Sequence, residues 1–376
     1  MGHLGIQKEE VYKALAKRLN KNPVGAPLNE TLMQILSIMY TEQEAAIGAA
    51  FPAGFTTLDK LSQTTGLPAA ELLCQLEQMA DKGLVFDIPR HDTHYYQLSP
   101  LVIGFFEYTF MRASSKLPLK ELAELFERYH REDGVVNEFF GADTKMFQTW
   151  AYESLLPTDL ETETEVLTYE KASEMIRDAG GGSLTMCYCR HQAWHLGEAC
   201  KAPIEDVCMS LGSASEWLVR RGFARPATTD QLLHVLEQTE ELGLVHLADN
   251  VQKKPAYICH CCGCCCGLLR SINRHETPSV HASNFLPAIS QAACTGCGAC
   301  VERCHVNALQ LTETAGETHA ELLAERCLGC GACIRGCRQS AIKLQRKSKL
   351  YLPPKDKREQ MANIAQEKGK LTKANL

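Results

Sequence analysis

Two runs of identical spacing, CTGCGACVERC and CLGCGACIRGC, constrain this chain more than any other feature of its sequence. Each reads C-x2-C-x2-C-x3-C: Cys294, Cys297, Cys300 and Cys304, then Cys327, Cys330, Cys333 and Cys337. A shift of 33 residues superposes them and also aligns Ala308-Leu309 with Ala341-Ile342, so one loop-plus-helix unit is present twice. Of 19 cysteines in 376 residues, only Cys74 precedes residue 187. Such density in a small secreted protein implies disulfides. A chain this long builds cores without staples, and metal ligation is the better expectation.

The spacing suits a four-iron cube. Two-residue spacers let one tight loop carry three thiolates to three corners, with Gly296, Gly298, Gly329 and Gly331 freeing the backbone. Structural zinc sites instead pair two short two-cysteine knuckles. Residues 288–344 closely resemble the bacterial two-cluster 4Fe-4S ferredoxin domain. The resemblance implies that the fourth cysteine of each run ligates the other cluster. Cys294, Cys297, Cys300 and Cys337 would then hold one cube, and Cys327, Cys330, Cys333 and Cys304 the second. The family's proline after the fourth cysteine is missing: His305 and Arg338 stand there. Either a cation beside a cluster favours its reduced form, pH-dependently for the imidazole, or both side chains face solvent.

Ten more cysteines lie upstream, in CYCRHQAWHLGEAC, APIEDVC and ICHCCGCCCG. They are Cys187, Cys189, Cys200, Cys208, Cys259, Cys261, Cys262, Cys264, Cys265 and Cys266. On strands, Cys187 with Cys189 and Cys259 with Cys261 would form two pincers facing across a metal. Cys208 falls on an apolar stripe expected to be helical, where a buried structural cysteine is common. One or two further iron-sulfur clusters are the leading expectation, with zinc or a redox-active thiol or disulfide site as alternatives. His191 and His195 are spaced i, i+4 but read as surface histidines. The CCG run resembles the cysteine-rich domain of heterodisulfide reductases. That domain's long spacers and flanking cysteines are absent, so its activity is not transferred.

The rest of the chain gives an α+β organisation. Residues 1–115 read as helix, helix, helix, strand, wing, strand, which resembles a winged-helix domain. Its third helix, PAAELLCQLEQMADKG, sets Glu71, Glu77 and Asp81 against Lys82 alone, so protein docking is expected and DNA is not. Residues 116–164 are expected to be a helical linker with an amphipathic helix at 117–132, and PTDLETETE marks the boundary. Residues 165–285 form a cysteine-rich α+β domain, 286–345 the ferredoxin domain and 346–376 a basic tail. QLLHVLEQTEELGLVHL repeats the helix, Gly, Leu-Val order of residues 72–85 and hints at a second winged-helix-like unit. Residues 345–376 hold nine Lys or Arg against three acids, +6 of a net −6, and read as a solvated end.

No stretch is apolar enough to span a membrane, and MGHLGIQKEE lacks an export signal, so a cytoplasmic location is expected. Nucleotide-binding and serine-hydrolase motifs are absent. With SNFLP before the two-cluster module, the whole pattern resembles a group of large cysteine-rich ferredoxin-like proteins of anaerobes. The resemblance implies electron transfer with redox partner proteins. The leading expectation is an electron carrier with two 4Fe-4S clusters and further clusters upstream. A redox-sensing winged-helix regulator and a reductase working at the upstream cysteines are the alternatives.

Overall fold

The computed structural model describes residues 2–156, 170–314 and 316–371. PTDLETETE, at 157–165, lies outside the described residues, as does the expected domain start near Glu165.

The first 110 residues follow the expected order with additions. Helices Gly2–Leu19, Glu30–Met39 and Glu42–Ala50 precede helices Leu58–Thr65 and Ala69–Asp81. Asn29 caps the second by accepting from Leu32 N–H, and Thr41 with Glu44 forms a reciprocal capping box on the third. Strands Val85–Arg90 and Thr93–Leu98 pair antiparallel, and Thr56–Thr57 joins the outer side of the second. The wing is thus a tight hairpin turning at His91-Asp92 rather than a seven-residue loop. Its strands carry ladder hydrogen bonds to the turn.

A seven-stranded sheet forms the centre. Its spatial order is Val280–His281, Phe147–Trp150, Val245–Asp249, Tyr257–Cys261, Cys208–Leu211, Gly182–Thr185, Arg225–Ala227. Only the first pair is parallel. The segment expected to be a helical linker therefore supplies a strand, Phe147–Trp150, as well as the helix Leu119–His130. That helix buries Leu122, Leu125, Phe126 and Tyr129, the face read from its period. The repeat at 231–247 is a shared helix ending, with Gly83 and Gly243 at φ +79° and +78°. Its strand sits inside the large sheet and forms no separate hairpin unit of the kind expected there.

Buried side chains from the N-terminal helices, the helix at 119–130 and the large sheet form one continuous apolar core, which includes six cysteines. The N-terminal unit is fastened to the sheet domain by buried Asp87. Its carboxylate accepts from Trp217 Nε1 at 2.9 Å, Arg220 at 2.9 Å and Arg221 at 2.6 Å.

The duplication at the C-terminus is conformational as well as chemical. Ala299–Glu302 and Ala332–Arg335 are matching short helices, each entered through a left-handed glycine, Gly298 and Gly331. Asn307 and Ser340, also 33 apart, take φ +53° and +51°. Phe285–Ile289 pairs with Ile342–Arg346, and Leu309–Thr314 with Glu317–Leu322.

The basic end is not solvated through residue 371. Gln252 N–H donates to the Pro354 carbonyl, Lys357 meets Asp249 at 2.8 Å, and Lys370 meets Glu138 at 2.6 Å. Helix Lys357–Glu367 buries Ile364 and Gln360, and the latter's amide donates to the carbonyls of Lys145, Met146 and Asn250. Part of the positive charge is paired within the chain: Lys357 with Asp249, and Lys368 and Lys370 with Glu138.

Candidate metal centres

In the C-terminal module, Cys294, Cys297, Cys300 and Cys337 line one cavity enclosing about 340 Å³ of space between atoms. Cys304, Cys327, Cys330 and Cys333 line another of about 400 Å³. Each cavity therefore takes three thiols from one run and the last from the other. The short helix that holds the third cysteine of each run separates the fourth thiol from its own loop. Backbone N–H groups point at sulfur in both: Ala320 to Cys294 at 3.4 Å, Ala341 to Cys337 at 3.3 Å, Ala308 to Cys304 at 3.1 Å and Gly329 to Cys327 at 3.4 Å. Such contacts favour a charged sulfur. The first cavity has an exposed thiol, Cys297, whereas burial pushes the thiols of Cys327 and Cys330 up, the latter to about 12.

Upstream, the ten thiols divide into two groups that the order of residues does not reveal. Cys187 and Cys189 are not strand pincers. The strand ends at Thr185, Cys187 caps helix Tyr188–His195, and Cys189 lies in its first turn. Cys208 opens a strand, opposite Thr185, instead of riding a helix. Cys259 and Cys261 do alternate on strand Tyr257–Cys261 and share a face. Thiol interactions then run from Cys187 to Cys208, Cys259, Cys261, Cys266 and Cys189 in turn. All six are buried. Thiols from both sides lower Cys259 to about 6, with Cys208 the larger influence, whereas the partners of Cys187 and Cys189, and their burial, push those two up.

The other four, Cys200, Cys262, Cys264 and Cys265, have sulfurs all within 4.8 Å of one another. Cys200 to Cys262 is 3.6 Å, and Cys264 to Cys265 is 3.7 Å. A tetrahedral ion with metal–sulfur bonds of about 2.3 Å sets its thiolates about 3.8 Å apart. A cube spreads them wider, because four irons stand between. The spacing fits one ion. Cys74 stands apart, exposed on helix Ala69–Asp81.

Two further residues join these groups: Arg190, which was not foreseen, and His305, which was. Arg190 is fully buried, donating to the carbonyls of Pro203 at 2.9 Å and His260 at 2.6 Å. Burial works against its charge, and the thiols of Cys187, Cys262, Cys208 and Cys261 work for it, with the net direction up. Its guanidinium thus interacts with thiols of both upstream groups. The signal was the Arg directly after C-x-C, which spacing alone leaves without a role.

His305, expected to titrate or to face solvent, is half-buried with both ring nitrogens hydrogen-bonded. Gly263 N–H donates to its Nδ1 at 3.1 Å, and its Nε2–H donates to the Gly243 carbonyl at 2.9 Å. These bonds fix the orientation of the ring. Gly263 lies between Cys262 and Cys264, and a Cβ there would stand 2.2 Å from the His305 carbonyl oxygen. The residue after Cys304 therefore touches the loop of the four-thiol group directly. Arg338 is exposed.

His191 and His195 lie on one helix with their Nε2 atoms 3.2 Å apart. His191 is buried, not superficial, and its Nδ1 meets the Phe110 carbonyl at 2.8 Å. Neither joins the four-thiol group.

The profile of the 4Fe-4S dicluster domain family matches residues 293–349. The C-terminal segment is a two-cluster ferredoxin domain. Eight thiols in two cavities, the duplicated turns and this match agree. No curated protein and no solved structure matches the chain. The chain is an iron-sulfur protein suited to electron transfer. Among the described residues no helix is long and apolar enough to cross a membrane.

Proposed function

We propose that this protein is a multi-centre electron carrier in which two cubes exchange electrons with a third iron-sulfur centre in the buried six-thiol group. One cube is held by Cys294, Cys297, Cys300 and Cys337, the other by Cys304, Cys327, Cys330 and Cys333. The observation that carries the reading is the sharing of each C-terminal cavity by thiols of both runs, which sets the two cubes side by side. Six buried thiols exceed the four that a single ion accepts, and favour a polynuclear centre at Cys187, Cys189, Cys208, Cys259, Cys261 and Cys266. The Cys200, Cys262, Cys264 and Cys265 group is the place for one structural ion, zinc or iron. Arg190 offsets the negative charge that thiolates bring to this interior, and the Cys304-His305-Gly263 contact gives a short bonded path from the second cube toward the upstream centres.

Redox partner proteins are the expected partners, in the cytoplasm. DNA fits poorly. Glu77 and Asp81 of helix Ala69–Asp81 are occupied by Arg221 at 2.8 and 2.9 Å, and that helix offers no basic face to phosphates. Anaerobic iron, sulfide and zinc analysis with EPR tests the proposal. The expected result is about twelve irons or more, with eight from the ferredoxin domain. Eight irons with all ten upstream thiols open to alkylation would overturn it.

A further inference from the structure

One large cavity is not used by this reading. It lies between helix Leu119–His130, the segment 136–147 and helix Gly267–His275 and opens to solvent at one side.

Three features of its wall specify an occupant. Much of it is apolar and aromatic, with Phe106, Phe139, Met146 and Phe147 all buried. Two residues of this wall, His130 and Ser271, also carry buried polar atoms, Nε2 and Oγ, that have no hydrogen-bond partner among the described residues. Leaving such atoms unpaired is costly in a folded chain, and a bound polar group removes the cost. Third, Arg131, Arg270 and Arg274 all bind one carboxylate, Glu127, so the wall carries three guanidiniums against a single ionised acid. Arg131 and Arg274 are about half exposed and mark the side open to solvent.

We infer that this cavity binds a small organic acid with a ring-sized apolar body. The carboxylate would meet Arg274 and Arg131 at the mouth, and the body would lie among the phenylalanines. Glu107, also on the wall, accepts from Gly104 N–H at 2.7 Å. Burial raises its carboxyl to about 8 and lowers His130 to about 4, so neither adds charge to the interior near neutral pH. Cys189 of the six-thiol group and Cys265 of the four-thiol group are part of the same wall. A molecule held here therefore lies against both upstream centres, where a redox substrate would need to be. The binding itself does not depend on what those thiols hold.

Calorimetric titration of the intact, anaerobically prepared protein tests the inference. The probes are 3-phenylpropanoate, its neutral analogue 3-phenylpropan-1-ol, and propanoate. Saturable binding of 3-phenylpropanoate is expected, at least about tenfold tighter than either of the others. Arg274→Gln, at an exposed position that should not disturb folding, is expected to abolish the preference for acid over alcohol. Ser271→Ala is expected to leave that preference in place. No saturable heat with 3-phenylpropanoate, equal binding of acid and alcohol, or an unchanged preference in Arg274→Gln would each overturn it. Metal content measured on the same samples separates this result from the reading of the thiol groups.

Discussion

The two thiol-rich regions of this protein are organised by opposite means. In the C-terminal domain the ligands are local: three thiols come from one tight loop, and a 33-residue repeat brings the fourth. In the upstream domain they are distributed. Cys187, Cys208 and Cys259 come from a helix cap and two different strands, yet they are neighbours. The lesson is that a loop can encode a metal site by spacing, whereas a sheet encodes one by register, which spacing does not record. Burial differs too. The first C-terminal cavity reaches the surface at Cys297, while the six upstream thiols belong to the main apolar core.

The sharpest way to break this comparison is to remove thiols in pairs. Cys187→Ser with Cys189→Ser should clear the six-thiol centre, dropping the iron count to about eight or nine while the ferredoxin EPR signals stay. Cys262→Ser with Cys264→Ser should remove about one ion and leave the other irons in place. Loss of both upstream sites from either pair would mean that they are one centre. Within the repeat, Cys337→Ala should damage the cube of Cys294, Cys297 and Cys300 and spare the one at Cys327. Spectra resolved by cluster read the outcome, and loss of the cube nearest in sequence would refute crossed ligation.

A smaller effect follows from the buried setting of the upstream half. Burial lifts Glu107 to about 8, well above its unfolded value near 4.5. Between those values the unfolded state has released this proton and the folded state has kept it, so stability should fall as pH rises from about 4.5 to 8. The slope contributed approaches about 1.4 kcal/mol per pH unit, and Glu107→Gln should flatten that part of the profile. Denaturation at a series of pH values checks this, and an unchanged slope in the variant would remove Glu107 as its source.

The smallest expected effect concerns the join between the two regions. His305→Ala leaves Gly263 N–H and the Gly243 carbonyl without their partner and should cost about 1 kcal/mol or more. Iron content should be unchanged. A variant as stable as the parent in denaturant titration would mean that water replaces the imidazole without loss.

Much of the N-terminal half could be read from the chain. Asn29, Thr41, Gly66 and Gly83 punctuate helices where capping rules place them, and the 3.6-residue period picks out Leu122, Leu125, Phe126 and Tyr129. What escaped was long-range. Phe147–Trp150 has four consecutive buried residues and shows no alternation, because its sheet is covered on both faces. The basic end looked solvated because Asp249 and Glu138, which pair with three of its lysines, lie over 100 residues earlier.

The sequence by itself determined the ferredoxin domain, since a cube's ligand loop is a local object whose spacing and glycines are the structure. It also determined that the upstream cysteines are too many to be incidental. Only the tertiary structure decided how those ten divide, six in an apolar core and four around one ion-sized gap. It alone turned His305 inward against Gly263 and brought Arg190 to thiols of both groups. The reason is physical. Strand register and the packing of the sheet against helices place side chains from distant segments within a few ångströms, and neither is written in the distance between two cysteines along the chain.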